Sequence, residues 1–304
     1  MQATLARWLP PVVGPETITA CVGLISDTHM PDRLAALPAA IFDVLHGVDL
    51  LLHGGDVGEL YVLDQLSVIA PLVAVHGNDE TADAKRELPY QQVIAIAGQR
   101  IVLTHAHYPD RAEELASRRD DAWRPKLERR SAFGHRAGAA VVVFGHTHIP
   151  MACQLDRVLL VNPGAIASGS HTWRQKRRTV ALLFMRADRL PLVVHVDLAH
   201  PDRPFVPQID WEAGFAAALG QVSESILAPD LEPDHQRLYA IARQAPGPSI
   251  GAIRRVAMRC WSGAQSYITR ADLLAELEAT PDLPPHVRAE FEALLQPRKD
   301  MVVE

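Results

Sequence analysis

The chain has 304 residues, 48% of them hydrophobic and 22% charged, with a formal net charge of −6. That balance fits one large or two modest globular domains with a sizeable core, and it gives no bulk electrostatic reason to expect nucleic acid or an anionic membrane as partner. Cys21, Cys153 and Cys260 lie far apart and form no CxxC pair, which argues against a disulfide framework and fits a reducing cytoplasm.

Residues 1–17 read as an N-terminal tail with Arg7, Trp8 and several prolines, without the apolar core or small-residue cleavage site of a signal peptide. No later apolar run is long enough to span a bilayer. From Thr17 to about Asp197 one grammar repeats: a short apolar run, then a cluster of Gly, Asp, Asn or His. The runs Cys21–Ile25, Leu50–Leu52, Leu72–Val75, Ile101–Leu103 and Val141–Phe144 are apolar on consecutive residues, the pattern of strands covered on both faces. Helical spacing between them predicts helices over Ala36–Gly47 and Glu59–Ala70. Tyr108–Arg136 is a long charged stretch in which Glu113, Glu114, Asp120 and Glu128 interleave with arginines, the composition of a solvated helix. Leu155–Val161 and Val180–Val196 predict further strands with turns, in a second sheet. After Pro201–Pro204 the composition turns to Ala, Leu, Glu and Arg with helical periodicity, and Asp210 and Thr269 are candidate N-caps. The expected organisation is thus a layered α/β domain over 18–200 and a helical appendage over 205–304.

The polar clusters carry the chemistry. Asp27-Thr-His29 and His146-Thr-His148 place side chains two residues apart, on one side of an extended backbone. Gly54-Gly-Asp56, Gly77-Asn78 and His105-Ala-His107 complete the set, with glycines where the chain must turn sharply. The C-terminal ends of strands in α/β sheets are where sites are built. Carboxylate, imidazole and amide oxygen together suit a borderline transition metal rather than Mg²⁺ or Ca²⁺. His53 and His76 precede these turns and read as packing residues beside the site.

In order, Asp27-x-His29, Gly55-Asp56, Gly77-Asn78, His105 and Gly145-His-Thr-His148 resemble the signature of the calcineurin-like metallophosphoesterase superfamily. Their spacing, and Asn162-Pro-Gly164 further on, resemble its small bacterial and archaeal phosphodiesterase branch, which includes the retromer subunit Vps29. The resemblance covers about residues 18–197 and implies a sandwich of two mixed β-sheets flanked by helices. It also implies two divalent transition-metal ions (Mn²⁺ first, or Fe, Zn²⁺, Ni²⁺ or Co²⁺). Asp27, His29, Asp56 and His148 are then the ligands of one, and Asp56, Asn78, His105 and His146 those of the other. A water shared by the ions would attack phosphorus in a small phosphorylated substrate. The alternative implied by the Vps29 relatives is a scaffold that keeps its ligands and no longer turns over. Many members of the superfamily have His after the Gly-Asn, as proton donor to the leaving group; here Asp79 stands there, and His107 is the nearest candidate for that acid or for a phosphate contact. Arg174, in Arg174-Gln-Lys-Arg-Arg178, is a candidate substrate contact. The sequence leaves homo-oligomerisation open.

Overall fold

In the computed structural model, which describes residues 3–187 and 189–296, the short apolar runs are strands. Strands β1 (Ile18–Ile25), β2 (Leu50–His53) and β3 (Leu72–Ala74) run parallel in one sheet. Two strands from later in the chain, β10 (Thr179–Arg186) and β11 (Arg189–Asp197), extend it antiparallel, in the order β11-β10-β1-β2-β3. The second sheet holds β4 (Gln91–Ile96), β5 (Gln99–Thr104), β6 (Val141–Phe144), β7 (Met151–Leu155) and β8 (Val158–Asn162) in the order β4-β5-β6-β8-β7. There β5, β6 and β8 are parallel, and the two edge strands are antiparallel to their neighbours. A short strand, β9 (Trp173–Gln175), lies outside both.

Successive strand residues face opposite sides, so a strand covered on both must be apolar throughout. On β1 and β10, Val22, Leu24, Ala181 and Leu183 meet Ile101, Leu103, Val141 and Val143 of the second sheet in one shared core. Their neighbours Cys21, Ile25, Leu182 and Phe184 face the other way, onto Ile41 and Val44 of α2 (Ala40–Val44) and Val62 and Leu66 of α3 (Tyr61–Ser67). Leu5 and Trp8 are buried in the same cluster, so the N-terminal segment packs on this sheet, through its short helix α1 (Ala3–Ala6). On the outside of the second sheet, Val142, Phe144 and Leu160 pack on Trp123 and Phe133 of α6 (Trp123–Ala137). Each buried Val, Leu, Ile or Phe contributes about 1.5–3 kcal/mol, so the two sheets and their helices are fixed by burial on three successive layers. Two further helices, α4 (Ala82–Glu87) and α5 (Arg111–Arg119), stand beside the polar loops.

The first helices are shorter than their periodicity suggests. Pro38 disfavours helical backbone at Leu37 and holds the start of α2 to Ala40. By compactness the chain divides into two units, the first running to Ser168 and resuming over Gln175–Ser223, the second comprising Gly169–Arg174 and the chain from Glu224 onward. The first thus continues beyond the composition change at Pro201–Pro204, because α7 (Phe215–Val222) buries Ala218 and Val222 with the outer cluster of the second sheet. Asp210 is not the cap of that helix. Its carboxylate accepts from Glu212 N and Ala213 N in a turn, while the first turn of α7 is bonded by Asp121, which accepts from Ala216 N at 2.6 Å. In the second unit α8 (His235–Ala242), α9 (Pro246–Trp261), α10 (Arg270–Glu278) and α11 (Pro285–Leu295) enclose their own core of Leu238, Ile253, Val256, Leu273 and Phe291. Thr269 caps α10 in a capping box with Asp272. Among the described residues no helix is long and apolar enough to cross a membrane.

Candidate metal centre

Asp27 and His29 follow β1, Asp56 follows β2, Asn78 follows β3, His105 and His107 follow β5, and His146 and His148 follow β6. Parallel strands deliver these loops to one place. The backbone there is strained: φ is 56° at Asp27, 44° at His29, 53° at Asp56, 70° at His146 and 60° at His148. Left-handed backbone at non-glycine residues costs on the order of 1–3 kcal/mol each and persists only where neighbours hold it. Here loops hold one another: Asp27 N donates to Gly55 O and His29 N to Asp56 O, each at 3.0 Å.

Each carboxylate is pinned by one oxygen and presents the other. Asp27 Oδ2 accepts from Ser26 Oγ at 2.6 Å and from His146 N at 3.2 Å, while Oδ1 lies 3.1 Å from His148 Nε2 and 3.9 Å from His29 Nε2. Asp56 Oδ1 accepts from Asp79 N at 2.8 Å, while Oδ2 lies 3.2 Å from His105 Nε2 and 3.6 Å from His29 Nε2. Two groups result whose ligand atoms lie within 4.8 Å of one another: Asp27, His29 and His148, and Asp27, Asp56 and His105. His105 donates from Nδ1 to Gly54 O at 2.8 Å, which turns Nε2 inward. His146 packs edge-on to His105 with ring centroids 5.0 Å apart, and its Nε2 is 2.9 Å from Glu114 Oε1. His107 packs 5.5 Å from the His105 ring and against Tyr90, whose hydroxyl donates to His107 O. Arg174 belongs to the second unit, where its Nε donates to Glu224 Oε1 at 3.0 Å.

The electrostatics ask for a cation. Burial alone would raise Asp27 and Asp56, yet His148 holds Asp27 at about 2, and His105 above all holds Asp56 well below the usual carboxylate range. Burial would likewise lower His105, but Asp56 and Asp27 raise it to about 9, so the site supplies its own counter-charge as an imidazolium. Burial, then the neighbouring Arg33, pushes His29 well down. Burial with His105 and His146 pushes His107 to about 3, leaving a neutral ring at neutral pH, a poor proton donor. Asp27 Oδ1, Asn78 Oδ1 and His105 Nε2 are buried without a directed hydrogen bond among the described residues. Oxygen and imidazole atoms left open in this way fit a divalent transition metal.

Three residues that shape the site carry no signal in the motifs. Glu80 accepts from Val57 N, Gly58 N and Gly77 N and so ties the loops after β2 and β3 together. Arg33 pairs with Asp79, donates to Ser168 O at 3.2 Å and lies 3.4 Å from His29 Nε2. Glu114, from the stretch that reads as solvated, is 3% exposed and reaches His146. His53 is a packing residue, held between Thr28 and Gly55 N and pushed by burial to about 4.

Residues 21–188 match the calcineurin-like phosphoesterase superfamily domain. A probable metallophosphoesterase of Methanothermobacter thermautotrophicus is 34% identical over 144 residues, 47% of this chain and 76% of the relative. The phosphodiesterase MJ0936 of Methanocaldococcus jannaschii is 25% identical over 158 residues, 47% of this chain and 82% of the relative. Among solved structures, Vps29 of Chaetomium thermophilum is similar with a TM-score of 0.44 and 17% identity, covering 58% of this chain and 96% of that one.

Proposed function

Since the chain belongs to the calcineurin-like phosphoesterase superfamily, we propose that it hydrolyses phosphodiesters with two divalent transition-metal ions, Mn²⁺ first among them. Asp27, His29, Asp56 and His148 hold one ion in this reading, and Asp56, Asn78, His105 and His146 the other. Bound there, the ions supply Lewis-acid charge that brings a water to a reactive pKa and offsets the negative charge of the phosphoryl oxygens. The observation that carries the reading is the division of labour within each carboxylate, one oxygen fixed by protein donors and one left facing imidazoles. A scaffold without turnover has no need of that arrangement, and the complete donor set favours the enzyme.

The remaining work falls to the chain's own groups. Ser26 and the His146 amide fix the orientation of Asp27, and the Asp79 amide fixes that of Asp56. Where Asp79 follows Asn78, a carboxylate already paired with Arg33 is no proton donor. The neutral His107 ring suits a hydrogen bond to phosphate better than proton transfer. Departure without an acid favours leaving groups that are stable as anions. General acid help is worth about 10²–10⁴ in rate where the leaving group needs it, so with Mn²⁺ the protein should cleave nitrophenyl diesters faster than alkyl diesters by a factor of that order. A leaving-group series on wild type and His107→Ala tests this. A flat dependence on leaving-group pKa in both proteins refutes the missing acid, and no turnover of any diester with Mn²⁺ refutes the activity.

A further inference from the structure

The metal reading leaves open which nitrogen of His146 would face a cation, and the structure answers from outside the motif. We propose that Glu114 is the positioning residue of His146: by accepting its Nε2–H it fixes the tautomer and leaves Nδ1 as the nitrogen that binds the metal. The inference rests on the metal reading of the same site. Glu114 sits on α5 between exposed Glu113 and Leu115, yet it is 3% exposed itself. Its Oε1 lies 2.9 Å from His146 Nε2 and 2.6 Å from Arg118 Nε, and its Oε2 accepts from Tyr108 N at 3.0 Å. A buried carboxylate with three donors is fixed in place. The helix that carries it is anchored by Asp110, which accepts from Ala112 N and Glu113 N at 2.9 Å each. A carboxylate only accepts, so His146 must donate from Nε2, and only Nδ1 keeps a lone pair.

The neighbouring ring shows the opposite assignment. His105 donates from Nδ1 to Gly54 O at 2.8 Å and turns Nε2 toward Asp56. Two histidines with ring centroids 5.0 Å apart thus present different nitrogens, each fixed by an acceptor on its other side. A metal-ligating histidine whose outer acceptor is removed typically loses 10–100-fold in metal affinity.

The test is made on the full chain. Long-range ¹H–¹⁵N imidazole spectra of the metal-free protein, with His146 assigned through His146→Gln, should show its proton on Nε2, and Zn²⁺ should shift its Nδ1. In Glu114→Ala the ring should become a mixture of tautomers, and Mn²⁺ should bind about 10–100-fold more weakly by calorimetry. Glu114→Gln, which keeps an accepting oxygen, should recover the Nε2–H form and part of the affinity. Circular dichroism checks folding; if the alanine variant unfolds, the tautomer of the Gln variant and the Zn²⁺ response of wild type decide. A wild-type proton on Nδ1, a Zn²⁺ shift at Nε2, or unchanged tautomer and affinity in Glu114→Ala overturns the proposal. A protein that takes up no metal is recognised separately, because Zn²⁺ then leaves every ring of the cluster unshifted, and that overturns the metal reading together with this inference.

Discussion

Gly77→Ala should disable the candidate centre by sterics alone. Gly77 passes so close to Asp56 that an added Cβ would stand 2.6 Å from both its Cγ and its backbone N, and closer still to Oδ1. Real Cβ contacts under 3.0 Å essentially do not occur, so something must move. Backbone conformation is no obstacle, since Gly77 is not among the positive-φ residues. The side-chain way out is to swing the Asp56 carboxylate, which breaks its 2.8 Å bond from Asp79 N and takes Oδ2 away from His105. Overpacking costs about 1–3 kcal/mol and the lost hydrogen bond about 1 kcal/mol, so metal-free stability should fall by about 2–4 kcal/mol in urea unfolding. Metal content of the purified protein should fall with it. In an Asp56→Ala background the contacts with Oδ1 and Cγ vanish and only the backbone one remains, so the penalty should shrink by about 1 kcal/mol or more. Gly220→Ala is the control, because nothing lies within 4 Å of a Cβ there. A Gly77→Ala protein as stable as wild type and still fully loaded would refute the placement of the carboxylate.

Asp56→Ala should lose both ions together, since its Oδ2 faces His29 at 3.6 Å and His105 at 3.2 Å; elemental analysis after Mn²⁺ loading checks this, and retention of one full equivalent would contradict the shared role. Acid sensitivity should trace in part to His195, which is buried, donates to Asn162 O at 2.8 Å and is pushed by burial to about 4. Because its folded pKa is depressed, the unfolded chain binds the extra proton. The stability it contributes is complete above the unfolded value of about 6.5 and is lost as pH falls toward 4. That is about 3 kcal/mol over the window. His195→Gln should flatten the fall between pH 6.5 and 4 in urea unfolding, and an unchanged slope would show that His195 does not contribute to it.

The strands behind the site were legible because double-sided burial leaves a plain mark. In Val141–Phe144 every residue must be apolar, alternate ones facing the shared core and α6. Strand β4 left no such mark: as an edge strand it exposes Val93 by 51% and carries glutamines at its start, so its period is diluted. The positions of the candidate site residues were legible too, since each follows a strand at short range. What could not be read is everything settled by long-range contact. Asp121 bonds the first turn of a helix ninety-odd residues away, and Glu80 ties two loops through three amides. Glu114 hides among surface-like glutamates because its burial depends on where α5 comes to rest.

The same distinction bears on how the centre balances its own buried charge. Two buried carboxylates would repel each other if nothing stood between them, and the His105 imidazolium, held to about 9, stands there. Its Nε2 lies 3.2 Å from Asp56 Oδ2. If the proposed ion binds there, it displaces a proton from His105, and its measured affinity should rise with pH. The outer acceptors decide the rest. Gly54 keeps the His105 ring in place when that proton leaves, and Glu114 keeps His146 from turning the wrong nitrogen inward. In the proposed centre the motif side chains supply the charge and the donor atoms, while the acceptors behind His105 and His146 choose which lone pair those two rings offer.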